Sequence, residues 1–537
     1  MSGPRLLRSA AVFSSMTFLS RLSGLVRDQV YAIVFGAGAA MDVFFIAFRI
    51  PNFMRRLSAE GSFSMAFVPV LAEYKEKHGQ QAVKELVDRV TGVLAAGLLV
   101  LVALVLLLAP QLAALLGSKL SGEYRQLLAE LLRITFPYAL FISLASLAGS
   151  VLNSYQKFAI PALSPVLLNV AMIAAALGLA PLMDYSVLAL GWGVFVAGVL
   201  QIGFQLPALA KLGLLPRPRL DLAHAGVRKV LTLMLPTLFG SSVAQFNLLF
   251  NTVAAAMLFS GSVSWLYFSD RLLEFPLGMF GVAIGTVILP HLSSRHAATD
   301  PAGFSKGLDW GFRLCLLIGI PACLGLVLCA QPLVATLFQY RSFSAFDTQM
   351  GSWSLIAQST AVPAFLLVKV LAPAFYSRQD TKTPVKSAVA SVLVNALCTV
   401  LFLAAALALT DAGRAALAQA GGNWLDALAK VPGLHALLAL SIAVAGWANA
   451  LQLAWYLRRA GVYRLQPGWG RWLRQIALAS VAMIVVLLAL RGLWPDWTPW
   501  SWWQRGWRLL LLVGGGAGAY VAVLWVQGLR PRDLREQ

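Results

Sequence analysis

Charge is what this sequence has least of. Only 12% of its 537 residues are Asp, Glu, Lys or Arg, about half the share of a soluble domain, so a water-facing surface cannot be built around it. Histidine and cysteine are scarce as well, at five and four. Cys315, Cys323, Cys329 and Cys398 lie in apolar runs, at spacings that suit neither zinc nor a disulfide framework, and read as small core residues. The sequence lacks a GxxxxGK[ST] phosphate loop, which argues against ATP hydrolysis by this chain. It also offers no metal cluster and no Ser/His/Asp arrangement on its outer loops. A non-enzymatic protein without a cofactor is expected. No cleavable signal peptide is visible: the first apolar stretch, about 10–35, is too long for a signal core and contains Arg21, Arg27 and Asp28.

What fills the chain instead is apolar. Hydrophobic residues make up 59% and the mean hydropathy is +0.76, too much for one water-soluble core. Sixteen Trp and 25 Pro suit a membrane protein with interfacial aromatics and kinked helices. A spanning helix needs roughly 20 mostly apolar residues. Such stretches lie near 10–36, 40–56 (bent onward to 73), 90–116, 127–153, 160–182, 185–208, 230–258, 264–292, 311–338, 353–376, 385–409, 434–457, 471–493 and 507–528. This predicts an all-α polytopic membrane protein of about fourteen transmembrane helices.

An even number puts both termini on one side. With the N-terminus inside, inner segments hold 25 Lys and Arg. The outer segments hold eight: Lys119, Arg125, Arg341, Arg414, Lys430, Arg491, Arg505 and Arg508. That bias places both termini in the cytoplasm. It explains the net charge of +20 without nucleic acid, which is not an expected partner. The run from Trp494 to Trp507, with six tryptophans, then reads as an outer interfacial anchor.

The chain repeats itself weakly. FGAGAAMDVFFIAFRIP at 35–51 resembles FSGSVSWLYFSDRLLEFP at 259–276, and SYQKFAIP ending at Pro161 resembles YSRQDTKTP ending at Pro384. Helices 1–6 and 7–12 are therefore read as related halves, with a site at their interface as in transporters. The resulting division is an N-lobe at 1–210, a basic cytoplasmic linker at 211–229, a C-lobe at 230–461 and two further helices with a tail at 462–537. The segment 410–433 reads as an outer loop with a short interfacial helix.

Charges inside the spans carry the functional signal. They are Arg21, Arg27 and Asp28 in the first; Asp42, Arg49, Arg55, Arg56 and Glu60 in the second; Asp270, Arg271 and Glu274 in the eighth; and Lys369 in the tenth. Each costs about 3 kcal/mol at mid-bilayer. All twelve facing lipid would cost on the order of 35 kcal/mol, several times a protein's net stability. They must face water or one another. Arg21 and Asp28 are seven apart, as are Asp42, Arg49 and Arg56, so each set lines one helical stripe. Neighbouring charges that merely pair, Arg27 with Asp28 and Arg271 with Glu274, are the alternative. Six of the seven bases are arginine, whose fixed fork suits bidentate phosphate recognition in a semi-enclosed site. An anion-binding cavity, with diphosphate favoured, is the reading.

Four long motifs resemble one family: SRLSGLVRD at 20–28, FGAGAAMDVFFIAFRIPNFMRRLSAEGSFSMAFVPVLAEY at 35–74, SVSWLYFSDRLLEFPLGMFGVAIGTVILP at 262–290 and KVLAPAFYSRQDTKTPVK at 369–386. They are similar to the MurJ (MviN) lipid II flippases of the multidrug/oligosaccharidyl-lipid/polysaccharide exporter superfamily. The resemblance implies two six-helix lobes around a central cationic cavity in the bacterial inner membrane, plus two C-terminal helices that form a groove for the lipid tail. It implies lipid II (undecaprenyl-diphosphate-linked disaccharide pentapeptide) as substrate, moved from the cytoplasmic to the periplasmic leaflet. The family's diphosphate-binding arginines fall on Arg21, Arg27, Arg55 and Arg271. Supporting cavity or gate positions are Ser20, Asp28, Asp42, Arg49, Glu60, Asp270, Glu274 and Lys369. The stretch 410–433 is longer than the family usually carries. Some members hold sodium between the seventh, eleventh and twelfth helices; Asn247 and Asn395 alone, without a carboxylate, do not assign a coupling ion here.

With the cytoplasm negative, outward movement of an anionic headgroup gains about 2.3 kcal/mol per charge per 100 mV, so membrane potential is the expected driving force for alternating access. Membrane lipids are expected partners, and cell-wall synthesis or division proteins are a further expectation. The alternatives are a flippase for another isoprenoid-linked glycan, a drug/cation antiporter of the same superfamily, and a membrane glycosyltransferase acting on lipid II. The arginines argue against the antiporter. For the glycosyltransferase, Asp347, Asp411 and Asp426 are too isolated to serve as catalytic carboxylates.

Overall fold

The computed structural model describes residues 3–59 and 62–530. Every described regular element is helical, the outcome the apolar stretches require, since a backbone in lipid must satisfy its own hydrogen bonds. Nine described helices are long and apolar enough to cross a membrane, or ten when Ala345–Ser359 and Val362–Tyr376, bent by 41°, count as one span. The remaining four stretches, near 10–36, 40–56, 230–258 and 264–292, are helical too. Three of them are the charged first, second and eighth. The protein is a polytopic all-α membrane protein, and its helices fit the expected fourteen.

Packing divides the chain into two compact units, Met1–Val263 and Ser264–Gln537. The first contains α1 (Gly3–Phe35), α2 (Ala39–Ala59), α3 (Ser62–Lys77), α4 (Gly79–Leu116), α5 (Gly122–Thr135), α6 (Tyr138–Ser154), α7 (Ala159–Ala174), α8 (Leu188–Lys211) and α9 (Ala225–Ala256). α7 runs on through a π turn, Ala175–Leu179, and a 3-10 turn, Ala180–Met183. α1 stops at Gly36, whose φ of 70° gives the left-handed residue that ends a helix without a Cβ penalty; its N–H reaches the carbonyls of Tyr31 and Ala32.

Phe63, Phe67 and Leu71 of α3 are buried with Leu86 and Val87 of α4, Leu147 and Leu152 of α6, and Val227 of α9. α9, the seventh apolar stretch, also packs on α2, so the unit boundary falls after it rather than in the segment 211–229. That segment is no free linker. The backbone N–H of Arg217 donates to Asp88 Oδ1 at 2.7 Å and that of Arg219 to the Asp88 carbonyl at 3.1 Å. Gly92 lets it lie so close, since a Cβ there would sit 2.2 Å from the Arg219 carbonyl oxygen.

The second unit starts within the first turn of α10 (Ser262–Pro276). Pro276 and a π turn at Leu277–Gly281 separate α10 from α11 (Val282–Ala297), an interruption typical of proline and π insertions. α12 (Pro301–Leu328), α13 (Ala330–Phe338), α14 (Ala345–Ser359), α15 (Val362–Tyr376) and α16 (Lys382–Leu409) follow. The segment 410–433 folds into two short helices, α17 (Asp411–Gln419) and α18 (Trp424–Leu428), rather than the single one expected. α19 (His435–Arg459), α20 (Trp469–Leu493) and α21 (Trp502–Val526) complete the unit. α21 carries a GGGAG run at 514–518, where a Cβ on Gly516 would lie 2.7 Å from Leu487 Cδ2, so small residues bring α20 and α21 together. Tyr520 ties the pair to α12 by donating to the Leu317 carbonyl at 2.9 Å.

Candidate functional site

The intramembrane charges divide between the units, and each group has its own local construction. In the first unit, α1 and α7 lie side by side, and the join is polar at one level. Arg27 is 6% exposed and Asp28 fully buried. Arg27 Nε and Nη2 both donate to Asp28 Oδ1, at 3.0 and 2.7 Å, and Nη1 donates to Asn169 Oδ1 at 3.0 Å. Asn169 Nδ2 returns to α1, donating to the Ser20 carbonyl at 3.1 Å and to Ser23 Oγ at 2.8 Å. The guanidinium also stands over the Tyr31 ring, 5.4 Å from its centroid. Arg27 is thus an internal strut that holds α1 to α7, with its charge matched by Asp28.

Arg21 sits nearly two turns earlier on α1, is exposed, and makes no ion pair among the described residues. On α2, Arg55 is half-buried and donates from Nε to Asn52 Oδ1 at 2.8 Å. Arg49 donates from Nε to Thr252 Oγ1 of α9 at 2.9 Å. Arg56 is half-buried, with an Nε that finds no partner among the described residues. Asp42, near the start of α2, is buried and accepts the Gly261 backbone N–H at 2.7 Å. Ser20 contributes its carbonyl to the Asn169 bridge. Glu60 lies outside the described residues. The described candidates of this unit are five arginines and two carboxylates. Of the carboxylates, one is taken by Arg27 and the other holds a backbone N–H. The cationic excess among the described candidates belongs to this unit.

The candidate intramembrane charges of the second unit are balanced, Arg271 and Lys369 against Asp270 and Glu274. α10 is fixed along α14 by three contacts. Trp265 Nε1 donates to Asp347 Oδ1 at 2.9 Å, Ser269 Oγ to the Gly351 carbonyl at 2.8 Å, and Gln358 Nε2 to Asp270 Oδ1 at 2.6 Å. Arg271 follows directly and donates from Nη1 to Glu274 Oε2 at 3.2 Å, with Glu274 half-exposed. Lys369 of α15 is exposed. Both simple pairings expected as the alternative, Arg27 with Asp28 and Arg271 with Glu274, are therefore formed.

Sequence reasoning missed the neutral partners Asn169, Thr252, Asn52 and Gln358. A lone Asn amid ALSPVLLNVAMIA was the available signal, because polar side chains in spans are costly and rarely idle.

Residues 31–505 match the family model described as lipid II flippase MurJ. The chain is 40% identical to the probable lipid II flippase MurJ of Vibrio cholerae, covering 99% of this chain and 98% of that one. It is 42% identical to the lipid II flippase MurJ of Burkholderia cenocepacia over 88% of each. Among solved structures it resembles a lipid II flippase MurJ in an inward closed conformation, with a TM-score of 0.78 at 25% identity, covering 98% of this chain and 99% of that one. An inward-facing multidrug transporter of the MATE family shares the fold, with a TM-score of 0.65 at 13% identity over 84% of this chain and 98% of that one.

Proposed function

The chain belongs to the lipid II flippase MurJ family, and on that premise we propose that it carries lipid II from the cytoplasmic to the outer leaflet by alternating access, holding the diphosphate with arginine side chains. The observation that carries this reading is the excess of arginine over carboxylate among the intramembrane candidates of the first unit. A diphosphate is the ligand such an excess suits, since each guanidinium offers a planar fork to two phosphate oxygens. Arg21, exposed and without a carboxylate partner, is proposed as the first contact, with Arg55 beside it in role. Arg27 joins by exchanging Asn169 for a phosphate oxygen while Nε and Nη2 stay on Asp28, so the buried carboxylate remains neutralised. Arg271 acts likewise by releasing the half-exposed Glu274. Asp42, Asp270 and Ser20 position helices rather than touch substrate.

The lipid tail is proposed to stay in the bilayer along α20 and α21. Leu488, Leu510, Val521 and Val526 of these helices are exposed and offer an apolar surface to acyl or isoprenoid chain. With both termini cytoplasmic, the membrane potential favours the outward step for an anionic headgroup.

The test is a leaflet-specific assay of lipid II in cells depleted of this protein. Wild type restores outer-leaflet lipid II, and a charge-reversed Arg21→Glu variant that inserts normally does not. Restoration by the reversed variant would remove the phosphate contact. Failure of wild type to move lipid II, with export of another isoprenoid-linked glycan intact, would move the substrate.

A further inference from the structure

A cavity within the second unit plays no part in phosphate binding as read above. Its volume is about 460 Å³, inside the usual range of small-molecule sites (about 300–1,000 Å³). α13, α14 and the end of α20 with its following loop surround it, and Gln331, Gln339, Gln349, Ser352, Trp353 and Trp497 are on its wall. The charge bias of the loops assigns this end of the unit to the outside.

The lining selects for an uncharged, hydrogen-bonding ligand. No Asp or Glu lines the cavity. Its one arginine, Arg491, spends Nη1 on the Leu328 carbonyl at 3.2 Å and Nη2 on Gln331 Oε1 at 3.3 Å, so its charge is already solvated by protein oxygen. Two lining residues, however, each carry a buried atom with no hydrogen-bond partner among the described residues: the indole N–H of Trp497, a residue 1% exposed, and Oε1 of Gln339. A buried polar atom left unpaired is costly, so a site that keeps both a donor and an acceptor in reserve suits a ligand that supplies one of each. Trp353 adds an aromatic surface. It is 43% exposed and backed by Gly433, where a Cβ would come within 2.7 Å of its ring.

We propose that this cavity binds an N-acetylated saccharide, with hydroxyl and acetamido groups meeting the glutamines and the Trp497 N–H and the sugar's C–H face lying on Trp353. A phosphate would find only a consumed arginine there, and an acyl chain would leave the amides unsatisfied. The proposal rests on the reading above for its orientation and for why a saccharide arrives: the disaccharide of lipid II emerges on this side, and the cavity would hold it during release.

The experiment uses the full chain in lipid nanodiscs with N,N′-diacetylchitobiose as probe, read by saturation-transfer NMR at the acetyl methyls and by tryptophan fluorescence. The expected result is saturation transfer to both acetyl groups, with affinity falling about tenfold or more in Gln349→Ala and in Trp353→Ala. Both residues are exposed, and unchanged melting of each variant confirms folding. Absence of transfer, or equal affinity in wild type and both variants, overturns the proposal. So does saturation by the stem pentapeptide alone with no response to the sugar, which would make the occupant a peptide. Lipid II translocation in proteoliposomes is measured alongside. Sugar binding without translocation would sink the transport reading and leave this site standing; translocation without sugar binding would do the reverse.

Discussion

Asp309 Oδ1 accepts the indole N–H of Trp469 at 2.7 Å, across 160 residues of chain. The same carboxylate accepts from Tyr463 Oη at 2.8 Å, from the Gln466 N–H at 3.3 Å and from Arg313 Nε at 2.8 Å. It thereby pins to α12 the loop that leaves α19. In the first unit Asp88 does the equivalent work, pinning to α4 the segment that leaves α8, with Lys84 as its paired cation. α4 and α12 hold the third and ninth apolar stretches, and α8 and α19 the sixth and twelfth. A shared anchor at matching places in both halves is physical support for the repeat, stronger than the short sequence similarities at 35–51 and 259–276.

Removing that anchor is therefore expected to be costly. Asp309 is 3% exposed, and Asp309→Ala strands Arg313, Tyr463 and Trp469 together. Breaking a buried, hydrogen-bonded pair costs about 3–5 kcal/mol. The expected outcome is a large fall in the melting temperature of the purified protein, with Asp309→Asn recovering part of it. A variant melting within a degree of wild type would show that the loop holds without its carboxylate.

Arg505 makes a second structural prediction, because it is not the outer-surface charge its tryptophan-rich neighbourhood suggested. It is 4% exposed. Nη1 donates to the carbonyls of Ala335 and Gln339 at 2.9 and 2.8 Å, and Nη2 to that of Thr498 at 2.7 Å. A cation on the last carbonyls of α13 satisfies groups the helix cannot. Arg505→Lys keeps the charge and loses the fork, so we expect it to melt below wild type but above Arg505→Ala, which leaves the Gln339 and Thr498 carbonyls unpaired at about 1 kcal/mol or more each. The Ala335 carbonyl keeps the Gln339 N–H. Equal melting of the two variants would show that charge alone matters.

How far the sequence carried these conclusions depends on the kind of contact. The spans were legible because length and hydropathy are local properties, and the charges of α1, α2 and α10 stood out against them. Pairings across the chain were not legible. Nothing local tells Asn169 that Arg27 lies opposite, 142 residues away. The Arg27–Asp28 pair is the exception, legible because the two are adjacent. It forms although neighbouring helical residues point apart, because Arg27 is long enough to curl back onto Asp28. In the sequence Trp497 reads, with its five neighbouring tryptophans, as part of an interfacial anchor. Trp502 and Trp503 are indeed exposed, whereas Trp497 is buried, a difference set by packing. Asp88 and Asp309 lie towards the ends of their spans, where a charge attracts no notice.

Acid should act on the loop between α15 and α16. Asp380 Oδ1 accepts the backbone N–H groups of Lys382 and Thr383, at 3.1 and 3.0 Å, and Oδ2 accepts from Thr383 Oγ1 at 2.6 Å. The Thr383 hydroxyl first, and these backbone donors with it, hold the Asp380 carboxyl below its ordinary value. A depressed carboxylate stabilises the fold above its unfolded pKa, about 4, and that contribution disappears as pH falls through the lower folded value. The melting difference between wild type and Asp380→Ala is expected to be full at pH 6 and to shrink below pH 4. A difference independent of pH would mean that the ionised form contributes nothing.

The membrane potential makes a functional prediction. If an anionic headgroup crosses outward, each charge moved gains about 2.3 kcal/mol per 100 mV. Lipid II export by the protein in liposomes is then expected to speed up with an inside-negative potential and slow when the sign is reversed. Indifference to both would place the driving force elsewhere.

Arg21 and Arg27 separate binding from folding. Arg27 neutralises a fully buried Asp28, so Arg27→Ala leaves an uncompensated charge worth about 3–5 kcal/mol and is expected to lower stability and abolish growth together. Growth loss in that variant says little about phosphate. Arg21 is exposed and makes no ion pair among the described residues, so Arg21→Ala is expected to insert and melt like wild type. It should nonetheless fail to rescue a flippase-deficient strain, since one charge-assisted hydrogen bond is worth about 2 kcal/mol, roughly 30-fold in affinity. Arg21→Lys should rescue in part, because a point charge replaces the fork. Normal growth on Arg21→Ala with undiminished lipid II affinity would take the diphosphate away from this end of α1.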